Sequence, residues 1–85
     1  MDFEWDQRKS DRNFKERGIG FEIAVTALDD AIETYVDHHR DYGETRMIAK
    51  CRFEEEILVI VYTLRENTCR IISVRKANKR ERKSL

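Results

Sequence analysis

Proline is absent from this sequence, glycine appears three times, and cysteine and histidine twice each. Without proline, a low-complexity stretch or an internal repeat, nothing marks a linker, and 85 residues of 10.2 kDa make one domain, residues 1–85. Such a chain has one core and little room for a buried cofactor pocket. Cys51 and Cys69 are too few for a disulfide scaffold and too far apart for a zinc knuckle, so they read as reduced packing residues. The two histidines, His38 and His39, are adjacent. No metal site and no cofactor are expected. No run approaches the roughly 18 apolar residues of a membrane span. The start, Met1-Asp2-Phe3-Glu4-Trp5-Asp6, lacks the basic flank and apolar stretch of a secretion signal. The expectation is a cytoplasmic protein without a membrane partner.

Net charge is missing too: 17 basic residues balance 17 acidic ones, although 40% of the chain is charged and another 40% apolar, too apolar for disorder. The zero conceals a split. Residues 1–37 hold five basic against ten acidic side chains, and residues 38–85 hold twelve against seven. From Arg70 to Lys83 seven basic residues face the single Glu81. Clustered cations gain free energy by displacing counterions from phosphates, so the C-terminal half suits a polyanion. The same pattern also fits a solvated last helix.

Phe3 to Asp6 reads as a short extended start, with Asp6 as N-cap of a helix from about Gln7 to Arg17. That helix is polar, Phe14 is its aromatic anchor, and Gly18 follows as a left-handed cap. A second helix is expected from Phe21 to Leu28, with Phe21, Val25 and Leu28 as its apolar face. Ala31 to Val36 alternates as a strand before a polar loop, Asp37 to Gly43. Arg46 to Phe53 sets Met47, Ala49, Cys51 and Phe53 toward a core and Arg46, Lys50 and Arg52 toward a cationic face. Ile57 to Leu64 is apolar and β-branched, a central strand, and the turn at Arg65-Glu66-Asn67 returns through Thr68 to Val74. The short connections force antiparallel neighbours. The fold class is therefore α+β: two N-terminal helices on a curled antiparallel sheet of about four strands, with a short C-terminal helix.

Three stretches then resemble one family. Phe3-Glu4-Trp5-Asp6 with Gly18-x-x-Phe21-Glu22, then Tyr42-Gly43-Glu44-Thr45-Arg46, and finally Val61-Tyr62-Thr63 leading to Arg70-Ile71-Ile72-Ser73-Val74-Arg75-Lys76-Ala77 and Arg80-Glu81, are similar to BrnT-type toxins. The resemblance implies a RelE-like endoribonuclease fold that cleaves RNA without a metal. It also implies a ribbon-helix-helix antitoxin as partner, a toxin–antitoxin heterotetramer, and operator DNA bound only through the antitoxin. The chain departs from the family at Glu16-Arg17, where many members carry Lys-His, and the family's Tyr-Glu does not follow Lys83-Ser84-Leu85. An alternative is therefore a catalytically weak member that acts as an antitoxin-bound co-regulator or a plain RNA-binding module.

Metal-free RNA cleavage needs a base for the 2′-hydroxyl proton, an acid for the leaving 5′-oxygen and cations over the phosphate. Glu44 and Arg46, two apart on an extended segment, share a face, and Glu44 is a candidate base or an ion-pair partner of the strand. His39 is a candidate acid or base, or a solvated loop residue. Arg46 with Arg70 or Arg75 offers a bidentate clamp, although five residues place Arg70 and Arg75 on opposite faces unless a bulge intervenes. Either arginine can instead pair with Glu4 or Asp6. Tyr62 is a candidate stacking platform or a core residue. Lys50, Arg52, Lys76, Lys79 and Arg80 are candidate RNA contacts, and the basic tail can equally dock an acidic antitoxin segment.

Overall fold

A computed structural model describes residues 1–39 and 41–85; Arg40, within the expected polar loop, lies outside the described residues. The chain runs β1 (Asp2–Trp5), α1 (Gln7–Arg17), α2 (Ile23–Ala27), a 3-10 turn (Leu28–Asp30), β2 (Ala31–Val36), β3 (Met47–Phe53), β4 (Glu56–Arg65), β5 (Thr68–Lys76) and α3 (Lys79–Lys83). The strands form one sheet in the order β1-β5-β4-β3-β2. From β2 to β5 every pairing is antiparallel, as the short turns after β3 and β4 require for those neighbours. Glu54 and Glu66 take the left-handed backbone of those turns, at φ 57° and 56°.

The sheet departs from the expected four antiparallel strands because β1 adds a fifth, parallel to β5, with Phe3 opposite Cys69 and Trp5 opposite Ile71. Four residues make a weak local signal, and their partner lies more than sixty positions away. The second helix is also shorter than expected, five residues that tighten into the 3-10 turn. Its buried side chains are Ala24 and Ala27, whereas Val25 is 38% exposed. The small alanines let the short helix lie close against the sheet.

One sheet face carries Ala49, Cys51, Leu58, Ile60, Cys69, Ile71 and Val74, packed under Ile19, Phe21, Ala24 and Ala27. Burial pushes the Cys51 thiol up to about 11 and raises Cys69 as well, as suits packing residues. Helix α1 is held by polar groups. Phe14, the expected anchor, is 62% exposed. The buried residues of α1 are Ser10 and Asn13. Ser10 Oγ accepts from the Phe21 N–H at 2.8 Å, while Asn13 Nδ2 donates to Ile19 O at 2.8 Å and Val74 O at 2.9 Å. Strand β1 ends opposite Ile71, and beyond it Asn13 of α1 satisfies the Val74 carbonyl of β5. Asp6 caps α1, and Gly18, at φ 76°, closes it with its N–H on Phe14 O.

The opposite face is shared. At one end α3 covers it: Val59 and Ala77 are buried, and Asn78 with Glu81 forms a capping box. At the other end it is open, and this is where the cations gather.

Candidate functional site

Strands β1, β4 and β5 and the loop before β3 bring the site together through their register. Thr63 of β4 pairs with Arg70 of β5, and Arg70 pairs with Glu4 of β1. Continuing the Met47–Tyr62 register by one residue sets Arg46 beside Thr63, and Thr63 Oγ1 donates to Thr45 O at 2.7 Å, holding that segment against β4. Arg46, Thr63, Arg70 and Glu4 thus form a row across the sheet. Two strand spacings, about 10 Å, separate the two arginine backbones, within joint reach of one phosphate above Thr63. A second row holds Glu44, Arg65 and Thr68.

A cavity of about 180 Å³ opens between these rows, lined by Asp6, Lys9, Glu44, Arg46, Arg65, Arg70, Ile71 and Ile72. Of the residues expected from sequence, Glu44, Arg46 and Arg70 meet here. Arg65 and Lys9 join them and were not expected. Arg65 was assigned to a turn, yet it extends the Val59-Val61-Thr63 alternation by one step, and that was the available signal. Lys9 sits on a helix with no apolar stripe to orient it.

The cavity's carboxylates are partly engaged. Glu44 pairs with Arg65 at 2.9 Å, and Arg70 pairs with Glu4. The Arg65 hydrogen bond holds the Glu44 carboxyl below its ordinary range, so it is ionised at neutral pH. The Arg70–Glu4 pair realises the alternative expected from sequence. Both pairs are open to water: side chains of Arg70 and Glu4 are 33% and 43% exposed, and those of Arg65 and Glu44 are 55% and 32%. Arg46 carries no carboxylate among the described residues. Its guanidinium carbon lies 3.9 Å from the Tyr42 ring centroid.

The remaining expected residues lie elsewhere. Between Val61–Ser73 and Tyr62–Ile71 the β4–β5 register shifts, leaving Ile72 as an extra residue. This bulge turns Arg70 and Arg75 to the same face, but Arg75 pairs with Val59, four residues along β4 from Thr63, about 13 Å away. Arg75 is bound there in bidentate fashion to Glu81, at 2.7 and 2.8 Å. That fork pulls the Glu81 carboxyl down to about 2 and raises Arg75. Lys50, expected on an open cationic face, is 6% exposed because α3 roofs it; Nζ donates to Ser84 Oγ at 2.8 Å and lies 3.7 Å from Glu33. Tyr62 faces the other side of the sheet, half-buried, and its burial raises the phenol. His39 is exposed on its loop, its N–H on Asp37 Oδ1. Arg52, Lys79 and Arg80 are exposed, and Lys76 lies 3.7 Å from Glu56. Glu16 and Arg17 end α1, seven and eight residues beyond Lys9 and so about 10–12 Å along the helix from it.

Among the described residues no helix is long and apolar enough to cross a membrane, and no three His, Cys, Asp or Glu side chains cluster as a metal site. No curated protein matches the sequence. Residues 5–81 match the family described as the ribonuclease toxin, BrnT, of type II toxin–antitoxin systems, a span that contains every residue lining the cavity. The match covers nearly the whole chain, and the chain therefore belongs to the BrnT ribonuclease-toxin family of type II toxin–antitoxin systems.

Proposed function

We propose that this chain is an endoribonuclease whose reaction takes place in the cavity lined by Lys9, Glu44, Arg46, Arg65 and Arg70. The observation that carries the reading is the convergence of four cationic side chains on one small cavity. Arg46 and Arg70 grip the scissile phosphate from two strands, and Lys9 and Arg65 add positive charge at its rim. Glu44 takes the proton of the ribose 2′-hydroxyl. The 2′-oxygen attacks the adjacent phosphorus, the P–O5′ bond breaks, and the leaving oxygen takes a proton from water at the open mouth. The products are a 2′,3′-cyclic phosphate and a 5′-hydroxyl. Guanidinium groups neutralise the phosphate, so the reading calls for no resident metal. The exposed Arg52, Lys79 and Arg80 would add non-specific attraction for the RNA backbone. A cognate ribbon-helix-helix antitoxin neutralises the enzyme in a heterotetramer and carries the operator contact.

The carboxylates on Arg65 and Arg70, with the departure at Glu16-Arg17, favour a second reading, a binding-only co-regulator. Incubation of the purified chain with an RNA oligonucleotide in EDTA separates the two. Cleavage to cyclic-phosphate ends, blocked by a 2′-deoxy substitution at the cut, supports the nuclease. Binding without cleavage supports the co-regulator.

A further inference from the structure

We infer that Tyr42 is a positioning residue for Arg46: its ring, braced by Asp37, holds the guanidinium toward the cavity without neutralising it. The inference rests on the cavity being the cleavage site and goes beyond that reading, because Tyr42 is not among the residues that line it.

The geometry is a closed circuit. The Tyr42 hydroxyl donates to Asp37 Oδ2 at 2.9 Å. The Asp37 N–H donates to Arg46 O at 2.8 Å, which ties the brace to the backbone of the residue it serves. Asp37 Oδ1 accepts from the His39 N–H at 2.9 Å, so both carboxylate oxygens are held. The circuit closes where the Arg46 guanidinium lies over the ring, 3.9 Å from its centroid. Arg46 Nε is buried with no hydrogen-bond partner among the described residues. A ring face supplies attraction to a cation without a competing negative charge. The contrast with Arg65 and Arg70 is chemical: a phosphate must displace a paired carboxylate from each of those, whereas Arg46 is aimed by a ring and feels Asp37 and Glu44 only through longer-range attraction. On this account the aim of Arg46 matters most as charge builds on the phosphate in the transition state.

The test compares Tyr42→Leu and Tyr42→Phe with the unaltered chain in RNA cleavage, thermal unfolding and the Arg46 Nε–H resonance in NMR. Tyr42→Leu should lower kcat at least tenfold, leave KM within threefold and lose the shift and water protection of that resonance. Tyr42→Phe, which keeps the ring, should restore most of both. In an Arg46→Ala background Tyr42→Leu should cost less than twofold. An unchanged Nε–H resonance in Tyr42→Leu, or an equal loss of activity with and without Arg46, would overturn the inference even if the variant were less stable. Full cleavage by Arg46→Ala would overturn it by a separate route, through the site itself, and is recognised because the resonance would still respond to Tyr42.

Discussion

Arg70 and Arg65 give up little when they release their carboxylates, because exposed ion pairs contribute about 0–1 kcal/mol. An RNA phosphate can therefore replace Glu4 or Glu44 at small cost. Glu4→Gln should tighten RNA binding at low salt by up to about fivefold, with a stability loss under ~1 kcal/mol, measured by fluorescence anisotropy and urea unfolding. The opposite holds for Asn13, whose amide satisfies two carbonyls from a buried position. Asn13→Ala leaves Ile19 O and Val74 O without that donor and should cost about 2–4 kcal/mol in urea unfolding. Sequence spacing sufficed for Glu44 and Arg46, since two residues on an extended segment share a face. It could not reveal Asn13, because a buried polar residue looks like any other on a polar helix until the strand edge it serves is known.

Among the elements, β2 and β3 were legible from alternation and β4 from its β-branched apolar run, while the pairing of β1, the extent of α2 and the cover over Lys50 were not. Each of the last three depends on a partner distant in the chain: β5 for β1, β3 for α2, and α3 for Lys50. The bulge at Ile72 decides the facing of the two β5 arginines, and five-residue spacing alone leaves that open. Helix α3 is fastened through the Arg75–Glu81 fork and the Asn78 cap. Glu81 has its carboxyl at about 2 in the folded chain against an ordinary 4.5. Its stabilisation is therefore complete above the ordinary value and disappears as pH falls from 4.5 toward 2. Glu81→Gln should be less stable than the unaltered chain at pH 7, and the gap should close across that acid window when urea midpoints are compared.

Across the whole molecule, α2 and the core occupy one sheet face, and the other is divided between a fastened end under α3 and an open cationic end. The split explains why a count of basic residues overestimates the proposed RNA surface: Arg75 and Lys50 belong to the fastened end. The proposed base, Glu44, with its carboxyl lowered, would also fix the pH dependence of cleavage. With Glu44 ionised throughout the neutral range, activity should stay level from pH 8 down to 5 and fall only on further acidification; an inflection near 6.5, the ordinary histidine value, would assign the base elsewhere. The central claim is that the open end alone carries the chemistry, and single-turnover RNA cleavage by Arg46→Ala, Arg70→Ala and Arg75→Ala tests it directly. Arg46→Ala and Arg70→Ala should each lose about 10²–10³ in rate while remaining folded, and Arg75→Ala, though less stable, should stay within about tenfold of the unaltered chain. A collapse of activity in Arg75→Ala with Arg46→Ala and Arg70→Ala still active would contradict the account.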